Sequence, residues 1–241
     1  MPPMHSARDR VICWLIHLYT ALGSVVALLT LHAWLNDNHR LAFVWMIVAV
    51  LIDATDGPLA RRYRIRVVIP QIDGRKLDDI SDYANYTLIP IVLLSLEDWL
   101  PQPKLLWAGV PLVASLFTFA HTGAKEKGFF RGFPSYWNIV VFYIAVLWQL
   151  SLGMWWHKFG RAVVLATILG LSILSVMPVK FVYPNRAPRF RAFFIWGGLV
   201  WLAMLSGLIW QYPHVSSWLV GISLVYPVAY VVLSFYLAAV R

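Results

Sequence analysis

Eight apolar stretches separated by short polar breaks constrain this chain more than any other feature. They run over residues 11–35, 41–59, 80–96, 105–123, 137–152, 161–177, 192–211 and 215–239. The breaks carry Pro, Gly, Asn or charge, as in Asn36-Asp37-Asn38, Glu97-Asp98-Trp99-Leu100-Pro101, Gly153 and Pro184-Asn185-Arg186-Ala187-Pro188. A bilayer helix needs about 20 mostly apolar residues, so eight spans consume roughly 160 and leave about 80 for loops. That remainder is too small for a separate soluble domain, and residues 1–241 read as a single integral membrane domain. The expected fold class is an all-α integral membrane protein, a polytopic bundle of about eight transmembrane helices. With 60% hydrophobic and 13% charged residues, a water-soluble globular domain or a disordered chain is excluded. The first stretch is too long for a signal-peptide core and lacks a small-residue cleavage site, so it reads as a retained span. A lone Cys13 rules out an internal disulfide framework and a cysteine-rich zinc site.

The net charge of +9 is explained by sidedness rather than by nucleic acid. With the N-terminus in the cytoplasm, only Arg40, Lys104, Lys158 and Arg161 fall outside among the 20 Lys and Arg residues. This asymmetry places both termini inside. Trp99, Trp107, Trp155 and Trp156 lie near outer span ends, where indole rings favour the headgroup layer.

Acidic residues are concentrated instead. Asp53, Asp56, Asp73, Asp78, Asp79 and Asp82 make up more than half of the 11 carboxylates, and their stretch begins inside a span. A carboxylate in hydrocarbon costs about 2.5 to 3.5 kcal/mol, and neighbours of like charge repel, so a compensating cation is required. Asp53 and Asp56 share one helix face at i, i+3, and Asp78 and Asp82 share another at i, i+4. Two such carboxylate pairs suit a hard divalent ion, Mg²⁺ or Mn²⁺, of the kind that bridges phosphate oxygens. Asp79 lies about 100° round the helix from Asp78 and Asp73 lies in the preceding loop, so both read as solvated or paired charges. Gly57, Ala60 and Gly74 remove bulk where a nucleotide or a neighbouring helix can approach. Pro58 should weaken its helix, because its nitrogen cannot donate to the carbonyl of Ala54. Arg61, one turn beyond Gly57, offers a planar guanidinium for phosphate.

The run Asp53-Ala54-Thr55-Asp56-Gly57-Pro58-Leu59-Ala60-Arg61, followed by Gly74, Asp78 and Asp82, resembles the signature of the CDP-alcohol phosphatidyltransferases at all eight motif positions. The interval between Arg61 and Gly74 is longer than the common form and resembles that of one branch, the bacterial phosphatidylcholine synthases. The likeness extends to residues 129–138 and 180–186. It implies that fold, and that Asp53, Asp56 and Asp78 ligate a pair of divalent ions, Mn²⁺ or Mg²⁺. Asp82 would touch the second ion and act as general base. Gly57, Ala60 and Gly74 would line the cytidine diphosphate pocket, Asp56 would adjoin the nucleotide, and Arg61 would brace phosphates or the acidic cluster. Lys180 and Arg186 would meet substrate phosphates. The implied reaction joins CDP-diacylglycerol to choline, giving phosphatidylcholine and CMP at the cytoplasmic face of a bacterial inner membrane. Homodimers are common in the family.

Choline calls for aromatic faces rather than donors for a carboxylate or phosphate. Tyr83 and Tyr86 follow Asp82, and Tyr136 and Trp137 occupy the next inner loop, so these four are the candidate choline residues. Interfacial anchoring is the competing reading of each ring. His17 and His32 in the first span read as packing histidines. Serine, inositol or glycerol phosphate acceptors would require additional basic or polar groups near the metals. A divalent-cation transporter would require acids distributed along the membrane depth, whereas these cluster in the inner half. The diacyl substrate must enter sideways from the bilayer, because its acyl chains resist leaving hydrocarbon at about 0.8 kcal/mol per CH₂.

Overall fold

The computed structural model describes residues 6–121, 125–126, 129–150, 153–182 and 190–239. The protein is an all-α membrane protein with one small sheet. Two compact units divide it, Met1–Ile89 and Pro90–Arg241.

In the first unit, α1 (Ala7–Leu35) and α2 (His39–Arg62) form a helical hairpin. Ser6 caps α1 reciprocally with Asp9, whose backbone N–H donates to Ser6 Oγ at 3.1 Å while its carboxylate accepts from the Ser6 N–H at 3.2 Å. The turn between the helices uses Asp37 in the left-handed region, φ 57°, and Asn38 then caps α2 by accepting from the Leu41 N–H. α1 is inside out by the standards of a soluble helix. Its inward stripe holds Cys13, His17, Thr20, Gly23 and Ala27, while Leu15, Leu18, Leu22 and Val25 are exposed. Small and weakly polar residues let helices approach in lipid, and leucines face a solvent as apolar as themselves. At Gly23 the approach is so close that a Cβ would stand 2.1 Å from Ser81 Oγ. Pro58 does not end α2, which continues to Arg62.

A short α3 (Ile65–Val68) buries Ile65 beneath α1, beside Cys13 and Ile16. α4 (Gly74–Asp82) then begins where Asp73 accepts hydrogen bonds from the N–H groups of Arg75 and Lys76, at 3.1 and 3.3 Å. Asp73 is thus an exposed charge paired with the N-terminus of α4 as its cap. The third apolar stretch accordingly begins its helix several residues early. It proceeds through a π-helical turn, Tyr83–Leu88, into α5 (Ile89–Leu96).

The second unit holds α6 (Lys104–Ala120), α7 (Trp137–Gln149), α8 (Gly153–Val176), α9 (Arg191–Gln211) and α10 (Ser217–Ala239). It also holds a three-stranded antiparallel sheet where the hydropathy pattern predicts loops, β1 (Lys125–Glu126), β2 (Phe129–Arg131) and β3 (Lys180–Val182). Phe129 pairs with Val182, Phe130 with Phe181 and Arg131 with Lys180. Burial of Phe129, Phe181 and Val182 makes the pairing favourable, since buried backbone groups need partners. Gly132 turns the chain out of β2 at φ 80°, and a Cβ there would meet the Ser175 carbonyl oxygen at 2.1 Å. Trp99 and Trp156 are buried, not interfacial: Trp148 lies between them at ring distances of 6.2 and 5.8 Å. Trp155 is 59% exposed, as an anchor would be.

A helical segment stands at each of the eight apolar stretches. Length and composition qualify five as membrane crossings, α1, α2, α8, α9 and α10, while α6 and α7 are apolar but shorter.

Candidate active site

The four motif carboxylates lie on α2 and α4 of the first unit, and helix periodicity makes each pair point one way. Oxygens from Asp53, Asp78 and Asp82 all come within 4.8 Å of one another. Asp56 adjoins this group through Asp78. It is only 5% exposed, accepts a hydrogen bond from Thr20 Oγ1 at 2.9 Å and one from the Gly57 N–H, and is in hydrogen-bond contact with Asp78.

At such separations, with an effective dielectric near 20, each pair of carboxylates repels by roughly 3 kcal/mol. Two carboxylates in hydrogen-bond contact must share a proton or a cation. Arg61 supplies part of the balance, acting on Asp56 through its charge. Its guanidinium folds back along α2, and a Cβ on Gly57 would stand 3.3 Å from Arg61 Nη1. The motif glycine therefore makes room for the motif arginine. An all-oxygen donor set from two helices fits a hard divalent ion, Mg²⁺ or Mn²⁺. The cluster could hold such an ion.

Other side chains complete the arrangement. Tyr86 Oη donates to Asp53 Oδ2 at 2.9 Å, so this expected choline residue reaches the acidic cluster through its hydroxyl. The π-helical turn bears Tyr83 and Tyr86, and such turns alter the register in which side chains leave a helix. Asn85 is buried and donates to the carbonyls of Gly23 and Ser81, both at 2.9 Å, which ties α1 to the turn. Of the small motif residues, Ala60 packs on the cluster of Cys13 and Ile16, and Gly74 lies against the His17 ring. Thr20 went unread in the sequence: its partner is 36 positions away, and nothing local marks it.

The remaining candidates belong to the second unit. Trp137 is fully buried and donates from Nε1 to Ser115 Oγ at 2.8 Å. Tyr136 is half-buried, with its ring 6.3 Å from Phe133 and 6.5 Å from Tyr230. Lys180 is exposed on β3 opposite Arg131. Arg186 lies outside the described residues.

No family model matches the chain. Curated relatives do. The phosphatidylcholine synthase of Pseudomonas aeruginosa is 35% identical over 226 residues, covering 92% of this chain and 88% of that protein. The enzyme of the same name from Legionella pneumophila is 33% identical over 240 residues, covering 92% and 87%. That of Borreliella burgdorferi is 33% identical over 184 residues, covering 75% and 74%.

Proposed function

From the premise that this chain belongs to the bacterial phosphatidylcholine synthases, within the CDP-alcohol phosphatidyltransferases, we propose how its residues carry out the reaction. The enzyme condenses CDP-diacylglycerol with choline, giving phosphatidylcholine and CMP. The observation that carries the mechanism is the convergence of Asp53, Asp78 and Asp82 within 4.8 Å.

Asp53, Asp56, Asp78 and Asp82 would hold two divalent ions, Mn²⁺ or Mg²⁺. When bound, these supply positive charge to the pyrophosphate and to the departing CMP. Asp82 takes the proton from the choline hydroxyl. The choline oxygen then forms a bond to the phosphorus that bears diacylglycerol, and the bond from that phosphorus to the CMP oxygen breaks, its electron pair leaving with CMP. Thr20 and the Gly57 N–H orient Asp56, and Tyr86 orients Asp53. Gly57, Ala60, Gly74 and Arg61 form the nucleotide side. Aromatic faces of Tyr83 and Tyr86, on the π-helical turn that follows Asp82, receive the trimethylammonium group. The reaction takes place at the cytoplasmic face of a bacterial inner membrane, with both termini cytoplasmic. Positive-inside asymmetry supports that orientation.

The test is turnover of CDP-diacylglycerol with labelled choline by purified protein, with and without Mn²⁺ or Mg²⁺, with serine as competing acceptor. Wild type should form phosphatidylcholine only with metal, and Asp82→Asn should lower kcat about 10²- to 10⁴-fold. Product from serine but not choline would overturn the acceptor assignment, and full activity in Asp82→Asn would remove its role as base.

A further inference from the structure

We infer that His17 binds the cytidine half of CDP-diacylglycerol, an assignment that rests on the reaction proposed above. The imidazole is 6% exposed, and its buried Nε2 has no hydrogen-bond partner among the described residues. A buried polar atom loses its water on folding and is normally compensated by a partner. Histidine packing alone leaves that loss unexplained, whereas a ligand arriving beside the ring explains it.

The neighbours of the ring identify the ligand. A Cβ on Gly74 would stand 3.1 Å from His17 Cε1 and 3.6 Å from Nδ1, so the imidazole rests on the motif glycine that opens α4. Ala60, another motif residue, packs on the apolar cluster that includes Cys13 and Ile16 of α1, next to His17 in the chain. Thr20, Asp56 and Asp78 meet in one layer. His17 stands about one turn before Thr20, Gly74 one turn before Asp78, and Ala60 one turn after Asp56. In the α1–α2 hairpin these displacements run in the same direction, about 5.4 Å towards the Arg62 end of α2. With the diphosphate held at the carboxylate layer, the attached sugar and base fall in the layer of His17, Ala60 and Gly74. The missing side chain of Gly74 is what lets the His17 ring occupy that layer. His17 adds ring nitrogens that can donate to or accept from a ribose hydroxyl or the cytosine edge.

The experiment measures steady-state kinetics with CDP-diacylglycerol and choline, and inhibition by CMP, for wild type, His17→Ala, His17→Phe and His17→Gln in detergent. Thermal stabilisation by CMP is recorded on each variant. His17→Phe fills the space of the ring without its nitrogens, and His17→Ala vacates it, so either one that folds decides the matter. Both should raise KM for CDP-diacylglycerol and the CMP inhibition constant about tenfold or more. KM for choline and the metal requirement should be unchanged, and His17→Gln, which keeps a donor and an acceptor, should stay within about threefold of wild type. A folded His17→Phe or His17→Ala with wild-type KM and CMP inhibition overturns the assignment, as does a rise shared equally by choline. An inactive but folded wild type would defeat the reaction itself, whereas an active wild type with silent variants defeats His17 alone.

Discussion

Tyr86 shows how much one hydroxyl decides. Its ring is a reasonable face for a quaternary ammonium, yet its oxygen donates to Asp53 at 2.9 Å. The two roles separate on substitution. Tyr86→Phe keeps the ring and removes the donor, so a role through Asp53 predicts that the metal concentration for half-maximal activity rises about 10- to 100-fold while KM for choline holds. Tyr86→Leu should add a choline defect if the face also binds ammonium. Titration of activity with Mn²⁺, at saturating choline and then at varied choline, distinguishes these outcomes. A Tyr86→Phe enzyme with unaltered metal dependence would leave the hydroxyl without a function in the site. The four carboxylates were legible in the sequence because spacings of i, i+3 and i, i+4 put each pair on one helix face. Thr20 and the Tyr86 hydroxyl were not, because each meets a carboxylate more than thirty positions away, and residue type alone does not encode such a contact.

The elements divide along the same physical line. Helices were legible wherever apolar runs of sufficient length met Asn, Gly or Pro, and the Asn36-Asp37-Asn38 break forms the turn between α1 and α2. α4 begins earlier than hydropathy suggests because its first residues are polar and its start is fixed by the Asp73 cap. The sheet was not legible, since strands of two or three residues carry too little alternation, and β2 and β3 are brought together from loops about fifty residues apart. Gly132 is where this sheet is most exposed to disruption. Alanine there would adopt a left-handed φ of 80° and bring its Cβ to 2.1 Å from the Ser175 carbonyl oxygen, so the backbone must move. Gly132→Ala should cost about 2 to 4 kcal/mol. Because membrane proteins of this size commonly unfold irreversibly, the readout is the midpoint of thermal aggregation in detergent together with the monodisperse fraction on size exclusion. A midpoint equal to that of wild type would show that β2 relaxes without loss and that the turn has slack. Gly153 is also at positive φ, but a Cβ there would meet nothing within 4 Å among the described residues, so alanine should incur only the backbone cost of about 1 kcal/mol.

For the whole molecule, the solvent is the deciding variable. Leu15, Leu18, Leu28, Leu105, Phe117, Trp196, Trp210 and Val225 are each more than half exposed, a surface that would aggregate in water and is at ease in lipid. Hydrocarbon fixes that the helices cross but not which way, and the direction comes from Lys and Arg, which favour the cytoplasmic side. Only Arg40, Lys104, Lys158 and Arg161 lie on the opposite side of the assignment, and Arg161 is already engaged with Asp98. Cys13 is the one native thiol and is 1% exposed, so replacing it with Ala should give a clean background for single cysteines. In that background Lys104→Cys and Lys158→Cys should react with a membrane-impermeant maleimide on intact spheroplasts. Lys76→Cys, in the segment leading to Asp78 and Asp82, should react only after the membrane is opened. The reverse pattern would put the carboxylate cluster on the outer side, away from a cytoplasmic supply of nucleotide-activated lipid, and would overturn the orientation while leaving the chemistry of the site intact.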